Sequence, residues 1–299
     1  MDSSTLRSAT NSRTVVRTPR RRGAASRILG NPLSLAGALI IGGLIALAVL
    51  APYLAPYDPI QTDIGSRLQP PSRAHFFGTD QLGRDILSRI LYGTRISLRI
   101  AILTAIIATT IGAPLGIVTG YFRGRLDDLL MRVTDMFMAF PRLILAMAIA
   151  AALRPTLENV IIAISLAAWP AYARLARSVA LALREENYVE AARAIGAGPL
   201  RVLARHVLPG VISPLTIQVS LDMGGIILTA AGLGFIGFGA QPPTPEWGVM
   251  ISEGRNYMTQ QWWVSTFPGI AISLFVLGFN MLGDGIRDAM DPRLRSRGR

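Results

Sequence analysis

The chain of 299 residues is 51% hydrophobic and 16% charged, with a mean hydropathy of +0.42. Soluble domains carry about 25% charged residues, and several apolar runs here reach the ~20 residues that a bilayer crossing takes, which overrides the soluble-domain expectation. All 30 basic residues are arginine, the formal net charge is +12 and there is no cysteine. Disulfides, thiolate catalysis, thiolate metal sites and the lysine of a phosphate-binding loop are therefore removed, and this chain is not expected to hydrolyse ATP itself.

Residues 1–31 form a polar arm with Arg7, Arg13, Arg17, Arg20, Arg21, Arg22 and Arg27, and its Ser/Thr-rich composition predicts disorder. An apolar run over 33–54 is the first predicted membrane span. Ala46-Leu47-Ala48 resembles a signal-peptide cleavage site, but the run exceeds the roughly 7–15 residues of a signal core and follows a long arm. Residues 55–94 are rich in Pro, Asp and Gly and are read as an outside segment. Within it, 81–91 predicts an amphipathic helix with Leu82, Ile86 and Ile90 on one face and Asp80 as N-cap.

The second span is predicted over 96–120. Its Gly112, Gly116 and Gly120 recur every four residues, a spacing that lets two helix backbones approach closely in lipid. A short inside loop with Arg123, Arg125, Asp127, Asp128 and Arg132 leads to a third span over 133–153. An outside turn with Arg154, Pro155 and Glu158 leads to a fourth over 159–175. A long inside segment covers 176–211, followed by a fifth span over 212–238, a Pro-rich outside loop over 240–262 and a sixth span over 263–282. Trp262 and Trp263 fit an interfacial anchor. The chain thus divides into a basic arm (1–31), a first span with its outside segment (32–94), a five-helix core (95–282) and a basic tail (283–299).

Six spans place both termini on one side. Arginine is concentrated in the two terminal arms, the short loop and 176–211, so that side is the cytoplasm. This placement also accounts for the net charge, because the inner leaflet is anionic. The aromatic interleaving and recognition modules of nucleic-acid binders are absent. The two histidines, His75 and His206, fall on opposite sides of the membrane, which argues against a histidine metal site.

The polar break at 184–209 carries the clearest mechanism. Residues 184–195 are good helix formers, with Tyr188, Ala192 and Ile195 on one predicted face and small alanines that permit close approach. Gly196 is a natural C-terminal stop. Gly198-Pro199 starts a second helix with Leu200, Leu203 and Val207 on one stripe, and Pro209 is expected to end it. The expected product is a small helix–turn–helix projecting into the cytoplasm. The alternative is a connecting loop whose helices lie on the bilayer.

Here the chain resembles the membrane subunits of ATP-binding-cassette importers. Their signature is Glu-Ala-Ala, three residues, Gly, nine residues, Ile, one residue, Leu-Pro. The chain has Glu190-Ala191-Ala192, Gly196 and Leu208-Pro209 at that spacing, with His206 in place of the isoleucine. A histidine there is similar to the peptide-importer branch. So are Gly78-Thr79-Asp80 with Gly83-Arg84-Asp85, Gln241 to Pro245 with Trp247-Gly248, and Gly283 to Asp288 with Asp291-Pro292-Arg293. The resemblance covers about residues 28 to 295 and looks like the C-type permease of dipeptide, oligopeptide and nickel importers.

That resemblance implies an all-α membrane protein of six spans with the type I importer fold and both termini inside. It implies docking to a cytoplasmic ATPase through Glu190, Ala191, Ala192, Arg193, Gly196 and Ala197. It also implies two ATPase subunits that bind the ATP and Mg, a second homologous permease and an outside solute-binding protein, with no cofactor and no catalytic residue in this chain. Short peptides are the implied cargo; nickel, glutathione, opines and oligosaccharides use similar permeases.

Gly232, Gly234 and Gly237 match a dinucleotide fingerprint formally but lie in an apolar span, so helix packing is the better reading. Asp222, in the fifth span, is a candidate for the translocation pathway or a buried partner of a nearby arginine. Trp169, Pro170 and Tyr172 line the pathway or kink and anchor the fourth span; the sequence leaves both open. Asp80, Arg84 and Asp85 read as a capped helix and loop ion pair rather than an acid–base site. A secondary carrier would show inverted repeats and charged relays, and a membrane enzyme a metal-binding or nucleophile motif; neither set is found.

Overall fold

The computed structural model describes residues 31–290. The predicted disorder of the N-terminal arm, the Asp291-Pro292-Arg293 motif and the basic tail beyond it fall outside the described residues. Those described form an all-helical fold with no strand beyond one isolated bridge, Thr79 to Asp85. Among the described residues five helices are long and apolar enough to cross a bilayer, and a sixth span is reached only by counting one pair of helices, bent by 92°, as a single broken span.

Helix α1, Pro32–Leu54, starts with Asn31 accepting from the Leu33 amide and Pro32 in the first turn, where a missing N–H costs nothing. Its buried residues, Ser34, Gly37, Ile41, Leu44, Ala48 and Ala51, alternate three and four apart, so one narrow stripe packs while the rest faces lipid. The stripe lies on α10, Trp263–Met290. A Cβ at Gly37 would sit 2.6 Å from the Leu282 amide nitrogen, so glycine is what permits the approach.

Helix α2 runs over Ile86–Phe122, 37 residues or about 55 Å, longer than a bilayer. The expected separate helix over 81–91 does not form, and Asp80 is not its cap. Instead Asp80 Oδ1 accepts from the Leu82 and Arg84 amides and closes a tight turn with Gly83 at φ +75°. Asp85 is the cap, accepting from the Ser88 amide at 2.8 Å. Two acidic residues competed for the cap, and the second won because the left-handed glycine between them breaks any helix started at the first.

The third span is also corrected. Helices α3, Arg125–Met138, and α4, Arg142–Ala152, meet at a 92° bend. Pro141 supplies no N–H and disfavours helical geometry at Phe140. α3 carries Asp127, Asp128, Arg132 and Asp135 and lies along α5, Leu157–Arg184. Arg177 Nε and Nη2 donate to the two Asp127 oxygens at 2.6 and 2.7 Å. The eleven residues of α4 span only about 16 Å.

The predicted glycine stripe packs as expected. Carbons at Gly112, Gly116 and Gly120 would run into the Trp169, Ala173 and Arg177 carbonyl oxygens of α5. α5 continues past its apolar part to Arg184, then gives α6, Asn187–Ala194, and α7, Pro199–Val202. Pro209 does not end that second helix. A π-helical turn over Leu203–Val207 leads straight into α8, Leu208–Ile236, and Pro209 lies within that continuous run just past the π turn. In the Pro-rich outside loop a further helix, α9, covers Trp247–Gly254. α10 extends beyond the expected end at 282 to Met290.

The larger core joins α1, α2, α4, α5, α8, α9 and α10 around Phe275, Trp247, Ile164 and Ile226. A second core lies at the opposite end from α9, where Val189, Ala192, Val202 and Val207 pack on Ile117, Tyr121, Ala176 and Ala180. It seats the α6–α7 hairpin on the ends of α2 and α5.

Candidate functional site

The hairpin is rigid for identifiable reasons. α6 ends in a Schellman motif: the Ala197 amide donates to the Ala192 carbonyl at 3.0 Å and the Gly196 amide to Arg193 at 2.9 Å. The motif needs a left-handed residue, and Gly196 has φ +85°. Val189 is fully buried, the Arg193 guanidinium lies 5.1 Å from the Tyr121 ring centre and Arg184 Nη1 donates to the Tyr121 carbonyl at 2.8 Å.

The predicted faces of the hairpin are revised. Of Tyr188, Ala192 and Ile195 only Ala192 is buried; the anchors are Val189 and Ala192. Ile195 lies beyond the end of α6, outside its periodicity, and is 87% exposed. On the second helix Leu200 is 76% exposed while Val202 and Val207 are buried, five residues apart because the π turn adds one residue. The apolar Ile195 and Leu200 therefore stand free at the tip.

The predicted docking residues do not all meet. Gly196 and Ala197, with the edge of Ala192, line a shallow cleft of about 290 Å³ together with Ile195, Arg201, Arg205 and His206. Glu190, Ala191 and Arg193 are exposed outside it. His206, at the departure from the family pattern, stacks near the Tyr188 ring at 6.3 Å.

The second region lies at mid-helix. Asp222 near the middle of α8 accepts from Arg142 Nη1 at 2.5 Å and from the Tyr172 hydroxyl at 2.9 Å. Tyr172 is fully buried in α5, and Trp169 is buried edge-on to Phe137 at 5.5 Å. Asp222 and Tyr172 thus come together, and Trp169 stands apart. Arg142 was missed; an arginine inside a predicted span, directly after Pro141, was the available signal.

At the opposite end from the hairpin, Arg84 and Arg89 are buried against Asp80 and Glu253. Arg84 Nε donates to Asp80 at 2.6 Å, and Glu253 Oε2 accepts from Arg84 at 2.9 Å and Arg89 at 3.0 Å. His75 Nδ1 lies 2.9 Å from Asp85. The network ties the segment before α2 to α9, as a structural clasp rather than an acid–base site. Glu246 caps α9 through the Gly248 and Val249 amides, both at 2.9 Å. Burial pushes its carboxyl up to about 7 despite those two bonds. Among the described residues no group of three or more His, Cys, Asp or Glu could hold a metal ion.

Comparison with known proteins agrees with this architecture. Residues 112–296 match the binding-protein-dependent transport system inner membrane component family. Residues 20–71 match the N-terminal TM domain of oligopeptide transport permease C. The chain is 47% identical over 264 residues to the probable D,D-dipeptide transport system permease protein DdpC of Escherichia coli (strain K12), covering 88% of this chain and 89% of that protein. It is 45% identical to the glutathione transport system permease protein GsiD of Pectobacterium atrosepticum, covering 94% and 93%. It is 44% identical to the di/tripeptide transport system permease protein DppC of Pseudomonas aeruginosa, covering 89% and 90%. An inward-facing structure of the MetNI methionine ABC transporter shares the fold, with a TM-score of 0.56 at 18% identity over 69% of this chain and 98% of that one. With apolar spans, a capped hairpin at one end and these matches, the chain belongs to the inner-membrane permease components of binding-protein-dependent ABC transport systems.

Proposed function

We propose that this permease imports di- or oligopeptides and that the α6–α7 hairpin couples it to ATP hydrolysis by partner subunits. The observation that carries the coupling reading is the hairpin itself: apolar Ile195 and Leu200 are exposed on a turn held from beneath by buried Val189, Ala192, Val202 and Val207. An exposed apolar tip on a mount of this kind suits burial against another protein, whose motion it would pass to α5 and α8. Glu190, Ala191, Ala192, Arg193, Gly196 and Ala197 form or flank this surface. The chain itself holds no cofactor and no catalytic residue; two cytoplasmic subunits bind ATP and Mg. A second homologous permease completes the pathway, and a solute-binding protein delivers cargo at the end bearing α9. The termini and the hairpin lie in the cytoplasm, and Asp222, Tyr172 and Trp169 lie at the pathway.

The peptide cargo is supported by the names of the relatives, among them a glutathione permease, whose cargo is itself a small peptide derivative. The test is uptake of labelled dipeptide by cells with and without this gene, partner genes intact. Loss on deletion, restored by the wild type but not by Gly196→Trp, is the expected result. Uptake that persists on deletion, in cells lacking parallel peptide importers, refutes the peptide reading.

A further inference from the structure

The half-buried Arg142–Asp222 pair is built differently from the Arg177–Asp127 fork, whose arginine is about as exposed. Arg177 presents Nε and Nη2, the two nitrogens that share one edge of the guanidinium, to both oxygens of Asp127. Arg142 meets Asp222 through Nη1 alone, and the second Asp222 oxygen is taken by Tyr172. Its Nε and Nη2 are buried and have no hydrogen-bond partner among the described residues. The carboxylate is therefore satisfied while the arginine keeps a whole bidentate edge unused. A charged donor left in this way is costly in a low-dielectric setting, and a pair serving only to join α4 to α8 would lose nothing by forking.

We propose that the Nε/Nη2 edge of Arg142 is a carboxylate-binding site, taking the C-terminal carboxylate of a peptide in transit. The inference rests on the peptide-import reading above. The edge matches a carboxylate in spacing and charge, and Asp222 with Tyr172 fixes the guanidinium from the other side. Tyr172 and Asp222 sit near the midpoints of α5 and α8. Gly225 lies beside the pair, where a Cβ would make ordinary contacts 3.4 Å from Asp222 Oδ1 and 3.9 Å from Arg142 Nη1. Arg142 is the first residue of α4 after the 92° bend, and its Nε/Nη2 edge is shielded in this conformation. A terminal carboxylate is common to peptides of every sequence, and a site that reads it alone suits a pathway that passes many side chains.

The test uses the full transporter, with binding protein, both permeases and ATPases, in proteoliposomes. Uptake of a labelled dipeptide is compared with uptake of its C-terminal amide, both at concentrations that saturate the binding protein. Arg142→Lys keeps a charge facing Asp222 but has no planar fork. The double variant Arg142→Gln/Asp222→Asn removes both charges, so no unpaired charge is left to disturb folding. In both, the acid-to-amide uptake ratio is expected to fall about 10-fold or more relative to wild type. An unchanged ratio in either assembled variant, including equal loss of both substrates, overturns the site and leaves peptide import standing. Failure of the wild type to take up either substrate overturns the peptide reading and the site with it.

Discussion

Replacing Gly116 by alanine tests the packing on which the fold depends. Helix propensity alone favours the change by about 0.5–1 kcal/mol, because glycine loses more backbone freedom in a helix. Packing opposes it. The new carbon would overlap the Ala173 carbonyl oxygen of α5 and lie 2.9 Å from both the Ala173 carbonyl carbon and the Ala176 Cβ, where ordinary contact begins at 3.4 Å. Two of these three atoms are backbone and cannot rotate away, so α2 and α5 must separate by at least about 0.5 Å. Overpacking of this kind costs ~1–3 kcal/mol; the three contacts here, one of them an overlap with a backbone oxygen, place the cost at the upper end, for a net loss of about 2 kcal/mol after the propensity gain. The assay is thermal unfolding of the purified permease complex in detergent, with Gly43→Ala as control, since nothing lies within 4 Å of a Cβ there. Gly116→Ala melts several degrees below wild type, and Gly43→Ala at or slightly above it. A Gly116→Ala protein as stable as the control would refute close backbone packing between α2 and α5.

Two further predictions concern the end that bears α9. Glu246 holds its proton up to about pH 7 when folded, against 4.5 as its ordinary value. Folding therefore carries an extra proton between those values, and stability falls as pH rises from 4.5 through 7, by about 3 kcal/mol in all. The melting temperature should drop over that interval in wild type, with a clearly smaller slope in Glu246→Gln; equal slopes would show the carboxyl to be ionised in the fold. Glu253→Ala leaves Arg84 and Arg89 sharing Asp80 as their carboxylate partner, and breaking a buried pair on one side costs ~3–5 kcal/mol. Limited proteolysis between residues 55 and 85 should accelerate in that variant, and unchanged cleavage would show that the network does not clasp this segment.

Much of the fold was legible because a bilayer imposes a simple rule: about twenty apolar residues make a helix. Five long spans and the Gly112–Gly116–Gly120 stripe followed from it. The rule marks lipid, not helix ends, so it missed how far α2, α5 and α10 run past their apolar parts. It also merged α3 with α4, because apolar residues flank Pro141 on both sides. α9 was hidden in a Pro-rich loop, although Glu246 before Trp247-Gly248 is a readable cap. The hairpin was legible as local pattern, through Gly196 and Pro199, but its buried face was not, because a π turn shifts the period. Arg142 and Asp222 lie eighty residues apart, and no local pattern pairs them.

The coupling hairpin is tested most directly at Ile195. The side chain is 87% exposed, and substitution at such a site changes folding stability by no more than about 0.5 kcal/mol. An aspartate there places a charge where the ATPase is proposed to bury an apolar side chain. Purifying the complex through a tag on the permease, with wild type and Ile195→Asp side by side, reads the contact itself. The predicted result is a permease that melts like wild type but recovers little or no ATPase, with peptide uptake lost in parallel. Full ATPase recovery and normal uptake in Ile195→Asp would contradict the assignment of this hairpin as the coupling element.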